Sequence, residues 1–217
     1  MIMNTVEDKR EYAMLQAAYD FFNAKFFDSK LPKVFFTIDW HNKKSNGYFC
    51  PHKLVNKEDV EAKAKASVIA LNPDYLARDV YEVLATLVHE MCHVWEFEEF
   101  IKDPYKLTSY HSKRFEKKLS ECNLKAVINN KSRSSCSTVI PDDGIFKGIA
   151  DEYLKTKEFL SIASTNAIKT EGDKAAEKKA KAKNKTKYVC TGCETKVWGK
   201  AGLNLHCNEC DMDFEEV

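Results

Sequence analysis

The feature that most constrains this chain is an H-E-x-x-H pattern at residues 89–93. Apolar side chains recur every three or four positions over residues 80–95, which predicts a helix that contains the whole pattern. Residues four apart lie on one face of a helix, so His89 and His93 can reach the same metal ion. Glu90 is rotated about 100° from His89, where its carboxylate can accept a proton from metal-bound water. The pattern therefore predicts a zinc site with Glu90 as its catalytic carboxylate.

A catalytic zinc site needs a third protein ligand and keeps one position open for water. His111 lies 18 residues beyond His93, at the start of a helix predicted over residues 111–122. The glutamates within residues 96–99 follow too closely along the same helix to return to the ion. We therefore predict His111 as the third ligand, with Glu116 as the alternative.

Four of the eight cysteines form two Cys-x-x-Cys pairs near the C-terminus, separated by 13 residues. This spacing is typical of a structural zinc site with four thiolate ligands. About thirty residues without a hydrophobic core need such an ion to fold. The sequence thus predicts a zinc ribbon over residues 188–217 and a second zinc ion, held by Cys190, Cys193, Cys207 and Cys210.

Charge divides the chain into three parts. Residues 1–168 carry 24 basic and 24 acidic side chains and have the composition of a globular domain. Residues 169–187 contain eight lysines against three acidic residues and have nothing apolar to bury, which predicts a linker. Residues 188–217 are acidic, with two lysines against six carboxylates. A neutral body, a basic linker and an acidic ribbon are therefore expected in that order.

The body shows both helical and strand patterns, which predicts an α+β fold. A first helix is expected over residues 12–26, and strands are expected at 34–40, 47–50 and 66–71. We expect residues 66–71 to form an exposed sheet edge, on which an extended substrate could pair as an additional strand.

Several stretches of the body resemble the SprT-like metallopeptidase family. These stretches are residues 22–32, 47–48, 66–72, 83–93 and 111–115. The resemblance covers about residues 10–122, and many bacterial and phage members also carry a C-terminal zinc module. Family members often flank the third histidine with glycines, whereas here it lies between Tyr110 and Ser112. Residues 125–165 match more weakly, and the sequence assigns them no chemistry.

The resemblance implies a zincin-like metalloprotease domain, in which a small mixed or antiparallel sheet covers the H-E-x-x-H helix. It implies a zinc-dependent peptidase with His89, His93 and His111 as ligands and Glu90 as the catalytic residue. The best-known relative cleaves proteins crosslinked to DNA. The first hypothesis is therefore a DNA-associated metalloprotease that cuts proteins on or near DNA.

Two other hypotheses remain open, a nucleic-acid-binding zinc protein without turnover and a peptidase with no connection to DNA. Lysines of the linker and ribbon can contact phosphate without sequence preference, and Trp198 offers a ring for base stacking. The predicted nucleic-acid contacts are Lys174, Lys178, Lys179, Lys181, Lys183, Lys185, Lys187, Lys196, Trp198 and Lys200. The acidity of the ribbon argues against phosphate binding there, so docking on protein is equally open.

The first eight residues lack the basic region and hydrophobic run of a signal peptide, and no run of 18 apolar residues occurs. Cysteines with metal-ligand spacing favour a reducing compartment. We expect a cytoplasmic protein without membrane association, located at the nucleoid if it is bacterial.

Overall fold

The computed structural model of the chain describes residues 8–40, 45–55, 65–102, 111–129, 131, 133–168 and 186–217. The chain divides into two compact units, Met1–Ile168 and Lys169–Val217. The predicted linker lies outside the described residues except for its last two positions. In the part of the chain that is described, no helix is both long and apolar enough to cross a membrane.

The first unit combines helices with small sheets, as the α+β prediction requires. In chain order its elements are α1 (Asp8–Phe26), β1 (Val34–Ile38), β2 (Gly47–Val55), β3 (Lys65–Leu71), α2 (Val80–Glu96), α3 (Lys113–Glu121), β4 (Lys125–Ile128), β5 (Cys136–Val139) and α4 (Ile145–Leu154). A 3-10 turn precedes α2 at Pro73–Tyr75, and a π-helical turn follows it at Phe97–Ile101.

Helix α1 contributes a continuous apolar face to the core. Leu15, Tyr19 and Phe22 recur at helical spacing and are buried. The ring of Phe22 stacks on that of Phe146 in α4, with centroids 6.0 Å apart. The Tyr19 hydroxyl donates a hydrogen bond to the Pro32 carbonyl at 2.7 Å. These contacts fix α1 against α4 and against the segment that leads into β1.

The principal sheet has three strands in the order β1-β3-β2. Strand β3 pairs in parallel with β1 and antiparallel with β2. The prediction that residues 66–71 form an exposed edge is therefore wrong, because β3 is the central strand. Its apolar residues Ile69, Ala70 and Leu71 are fully buried, as expected for a strand covered on both sides. The edge strand that packs against α2 is β2.

Helix α2 runs through the middle of the first unit. Its N-terminus is capped by Asp79, whose side chain accepts a hydrogen bond from the Tyr81 amide at 3.0 Å. Residues 83–92 are all buried, because α2 packs against α1, α3, α4 and β2. A helix packed against this many elements has little freedom to move, so His89 and Glu90 are presented from a rigid support.

Strands β4 and β5 form an antiparallel hairpin within the region to which the sequence assigned no chemistry. Lys125 lies opposite Val139, and Ile128 lies opposite Cys136. Strand β5 packs against α2. The hairpin thus becomes a neighbour of the helix that carries the H-E-x-x-H residues.

The second unit is a four-stranded sheet in the order β7-β6-β9-β8. Its strands are β6 (Thr186–Cys190), β7 (Lys196–Gly199), β8 (His206–Cys207) and β9 (Met212–Glu216). Tyr188 is buried at its centre, and its hydroxyl donates to the Lys200 carbonyl at 2.5 Å. Since β6 begins at Thr186, the last two residues of the predicted linker belong to this sheet.

Candidate functional site

The three predicted histidine ligands converge at one point in the first unit. His89 and His93 lie one turn apart on α2, and His111 lies just before the capping residue of α3. The three ring centroids are separated by 5.0, 5.2 and 5.0 Å, which is nearly an equilateral triangle. One donor nitrogen of each ring lies within 4.8 Å of the others, so the three residues form a group able to hold a metal ion.

The spacing of these nitrogens fits zinc. The Nε2 atoms of His89 and His111 lie 3.3 Å apart. Two imidazole nitrogens bound to one tetrahedral zinc ion lie about 3.3 Å apart, because each bond is about 2.0–2.1 Å long. A set of three imidazoles is also a known donor set for catalytic zinc. The residues present therefore fit a zinc ion with one open position.

Phe115 forms a floor beneath the three imidazoles. Its ring centroid lies 4.8 Å from that of His89, 4.3 Å from that of His93 and 4.9 Å from that of His111. Phe115 is fully buried and follows His111 by four residues, so α3 brings ligand and floor together. This role of Phe115 was not predicted from the sequence, although its four-residue spacing from His111 is visible there.

Two residues of the hairpin region hold the outer nitrogens of the histidines. Thr138 Oγ1 lies 2.8 Å from His89 Nδ1, and the Arg133 carbonyl oxygen lies 2.9 Å from His111 Nδ1. With Nδ1 of both rings engaged, Nε2 is left to face the common point. No sequence signal identified Thr138 or Arg133, because neither lies close to the histidines in the chain.

The carboxylates considered as ligands have other partners. Glu96 accepts a hydrogen bond from the hydroxyl of Ser112, the residue that caps α3. Glu116, the alternative third ligand, forms an ion pair with Arg133. Neither belongs to the metal-holding group formed by the histidines. Both carboxylates instead support the segment around His111.

Burial determines the protonation of the site. It lowers the pKa of His89 to about 3 and also lowers the pKa values of His93 and His111. Neutral imidazoles keep the lone pair that a metal requires. Burial raises the pKa of Glu90, which is only 4% exposed, to about 8. This carboxyl group therefore has a high affinity for a proton.

The histidines and Glu90 open into a cleft of about 1070 Å³. Residues 45–49, which include the start of the edge strand β2, line one side, and residues 134–140 line the other. Gly47 permits the close approach of β2, since a Cβ at this position would lie 2.9 Å from the Ala70 carbonyl oxygen and 3.3 Å from Glu90 Oε1. An edge strand of the described sheet thus runs beside the candidate catalytic carboxylate.

The second unit brings its four cysteines together as a second group able to hold a metal. The Sγ atoms of Cys190, Cys193, Cys207 and Cys210 all lie within 4.8 Å of one another. Four thiolates at this separation fit a tetrahedral zinc ion. The neighbouring His206 does not belong to this group and instead contacts Asp213 at 2.9 Å and Asp211 at 3.2 Å.

Three of the predicted nucleic-acid contacts lie on one face of the second unit. Trp198 is paired with Lys187 in the sheet, and Lys196 is two residues away on the same strand, so all three side chains share a face. Trp198 is 63% exposed, and Lys200 follows the end of its strand. The six other predicted lysines, Lys174, Lys178, Lys179, Lys181, Lys183 and Lys185, lie outside the described residues.

Comparison with known proteins identifies one family. The SprT-like family matches residues 15–136, which is more than half of the chain. The matched region runs from α1 to the first residue of β5 and contains the three histidines and Glu90. No curated protein matches the chain. Thr138, α4 and the second unit lie outside the matched region.

Proposed function

Because the chain belongs to the SprT-like family, we propose that it is a zinc-dependent endopeptidase with a zincin-like catalytic unit that cleaves proteins on or near DNA. The observation that carries this proposal is the convergence of three neutral imidazoles beside a buried carboxylate at the bottom of an open cleft. His89, His93 and His111 would hold the catalytic zinc. Glu90 would act as the general base and then as the general acid.

The chemistry divides between the ion and the side chains. When bound, zinc supplies Lewis acidity, which makes water easier to deprotonate and a peptide carbonyl easier to attack. Glu90 would receive the proton of the attacking water on a carboxylate oxygen and deliver it to the leaving amine. Burial strengthens this carboxylate as a proton acceptor, and the positive charge of a bound zinc ion would lower its pKa and keep it ionised at neutral pH. Phe115 would exclude water from the side of the site opposite the cleft.

Substrate binding is proposed at the edge of β2, which replaces β3 in this role. Strand β2 is an edge strand of its sheet among the residues that the structure describes, and its first residues line the cleft. An extended polypeptide could add to this edge through main-chain hydrogen bonds. Pairing of this kind places few demands on side chains, so we expect broad sequence tolerance.

The DNA association is proposed for the second unit and the lysines before it. An exposed tryptophan between two lysines on one sheet face suits base stacking combined with phosphate contacts. The four cysteines would hold a structural zinc that maintains this face. Glu215 lies on the same face and opposes phosphate binding, so we expect weak affinity that decreases steeply with salt.

The test is proteolysis of a DNA-bound protein, measured with single-stranded DNA, with double-stranded DNA and without DNA. Wild type should cleave, and either DNA should accelerate cleavage at low salt. Glu90→Gln should abolish cleavage while zinc content and DNA binding stay unchanged. Glu99→Gln, a matched change at an exposed glutamate on the turn after α2, should cleave as wild type does.

The outcomes separate the three hypotheses. Cleavage by Glu90→Gln at the wild-type rate would contradict the mechanism. Zinc and DNA binding without any cleavage by wild type would favour the nucleic-acid-binding protein without turnover. Cleavage that no DNA stimulates, together with unchanged behaviour of Trp198→Ala, would favour a peptidase with no connection to DNA.

A further inference from the structure

We propose that the β4–β5 hairpin region positions the catalytic metal ligands, with Thr138 holding His89 and Arg133 holding His111. The inference rests on the proposed zinc site and assigns a role to the region that the sequence left without chemistry. Neither residue would bind the zinc ion, and each would act through the histidine it contacts, so both are positioning residues. The metal site would then depend on an element that also forms one wall of the cleft.

Thr138 determines which nitrogen of His89 faces the metal. Its hydroxyl lies 2.8 Å from Nδ1, whereas Nε2 lies 3.3 Å from His111 Nε2. A hydroxyl that accepts a hydrogen bond from Nδ1 fixes the tautomer with the lone pair on Nε2, and it also fixes the rotation of the ring. Along β5, Cys136 and Thr138 are half-buried while Ser137 and Val139 are exposed. Thr138 is thus on the inner face of the strand, towards α2.

Arg133 makes three separate contacts with His111. Its carbonyl oxygen lies 2.9 Å from the ring Nδ1 and accepts a hydrogen bond from the His111 amide at 2.9 Å. Its side-chain Nε donates to the His111 carbonyl at 2.8 Å. His111 lies before the capping residue of α3 and so stands outside the helix. The backbone and ring of this ligand are therefore held by Arg133 rather than by the helix.

Arg133 is itself anchored to α3. Its guanidinium pairs with the carboxylate of Glu116, and the two side chains are 18% and 27% exposed. Breaking a partly buried ion pair leaves a charge without its partner, so the pair resists separation. The same helix carries Phe115, the floor of the site. One residue therefore joins the hairpin region, the third ligand and the helix that supports the floor.

The first test measures zinc affinity in the full-length protein, which does not require turnover. Competition with a chromophoric chelator resolves two classes of zinc, and His93→Ala identifies the class that belongs to the histidines. Thr138→Val keeps the side-chain shape but removes the hydroxyl, and should weaken this class by about 10–100-fold. Thr138→Ser, which keeps the hydroxyl, should restore most of the affinity. The cysteine class should not change in any of these variants.

Thr156→Val is the matched control, since the Thr156 hydroxyl bonds only to the end of α4, at the Tyr153 carbonyl, among the contacts described. It should leave both zinc classes unchanged. Cobalt bound in the histidine site should show an altered ligand-field spectrum in Thr138→Val and an unaltered one in Thr156→Val. A folded Thr138→Val protein with wild-type affinity and spectrum would overturn the role of Thr138.

Arg133→Lys tests the second half of the proposal and serves if Thr138→Val does not fold. Lysine keeps the charge but cannot donate from the Nε position, so we expect weaker zinc binding with the cysteine class unaffected. Wild-type affinity in Arg133→Lys would overturn the role of its side chain. Loss of zinc affinity in these variants, with no cleavage by wild type, would uphold the positioning and refute the peptidase. Cleavage by wild type, together with wild-type zinc affinity in these variants, would uphold the peptidase and refute the positioning role.

Discussion

The three buried histidines favour the neutral form in the folded protein, and this preference lowers the free energy of unfolding at acidic pH. An imidazole in the unfolded chain takes up a proton near pH 6.5. Burial lowers the pKa of His89 to about 3, and those of His93 and His111 are lowered as well. Below about pH 6.5 the three imidazoles therefore bind more protons in the unfolded chain than in the folded one, and Glu90, whose pKa burial raises, offsets only part of this difference. The free energy of unfolding must decrease as the pH falls through this range.

We expect the metal-free protein to lose about 1.4 kcal/mol of unfolding free energy per pH unit for each imidazole that stays neutral below about pH 6.5. Urea unfolding of the chelator-treated protein between about pH 7 and pH 5 measures this slope. His89→Gln removes one of the three groups and should reduce the slope. An unfolding free energy that does not change over this range would contradict the prediction.

Gly47 shows how one missing side chain shapes the site. A Cβ there would come within 2.9 Å of the Ala70 carbonyl oxygen, which belongs to the central strand and cannot move aside. Gly47→Ala should destabilise the first unit by about 1–3 kcal/mol, as overpacked sites do. It should also reduce cleavage, because β2 must shift away from Glu90. Thermal unfolding and a cleavage assay measure the two effects.

Gly148→Ala is the control for this substitution. Gly148 lies within α4, and a Cβ there would meet nothing within 4 Å. Alanine is the better helix former, so this change should stabilise the protein by about 0.5–1 kcal/mol and leave cleavage unchanged. Equal stability of the two variants would mean that the approach at Gly47 is not tight.

Among the helices and strands, those that could be predicted from the sequence are the ones whose buried residues form a regular apolar pattern. Helices α1 and α2 are apolar at helical spacing, and strand β3 is a nearly continuous apolar run. The order of strands could not be predicted, because it depends on which tertiary pairings form. Strand β5 was missed because its short sequence, Cys-Ser-Thr-Val, is half polar and only four residues long. The contacts of Thr138 with His89 and of Arg133 with His111 form only because β5 packs against α2, so they could not be predicted either.

Ser112, at the beginning of α3, caps this helix and lies next to the candidate metal ligand His111. Ser112 caps the helix by accepting hydrogen bonds from the Arg114 and Phe115 amides, both at 3.1 Å, and it donates to the buried Glu96. Ser112→Ala should cost about 1–2 kcal/mol of stability through the lost cap. The adjacent His111 should also become less well held, so zinc binding should weaken.

Ser120→Ala provides the comparison within the same helix. Ser120 is exposed near the end of α3, so alanine there should leave stability and zinc affinity nearly unchanged. Chemical denaturation and chelator competition on the two variants separate the cap from a general effect of serine removal. If Ser112→Ala had the same stability and the same zinc affinity as Ser120→Ala, the cap would have no role in the site.

On the scale of the whole molecule, the two units are stabilised by different physical means. The first unit has a hydrophobic core to which α1, α2, α3 and α4 all contribute, as the buried residues Phe22, Leu84, Phe115 and Phe146 illustrate. Among the described residues of the second unit, the buried hydrophobic side chains are those of Tyr188, Cys190 and Cys207. Two of these three are candidate metal ligands. We therefore expect a bound metal ion to take the place of a hydrophobic core in the second unit.

Removal of metal should consequently affect the two units differently. We expect a strong chelator to abolish the protection of backbone amides from hydrogen exchange in β6 to β9, since zinc binding by four thiolates supplies about 10–16 kcal/mol towards folding. Amides of α2 and β3 should stay protected at neutral pH, because their apolar contacts do not need the ion. Cys193→Ser should lose the protection of the same amides without chelator. Ser137 is exposed in the first unit, and Ser137→Ala should leave the protection of all these amides unchanged. Persistent protection of β6 to β9 in zinc-free protein would show that this sheet folds by its side-chain contacts alone, and the four cysteines would then need another explanation.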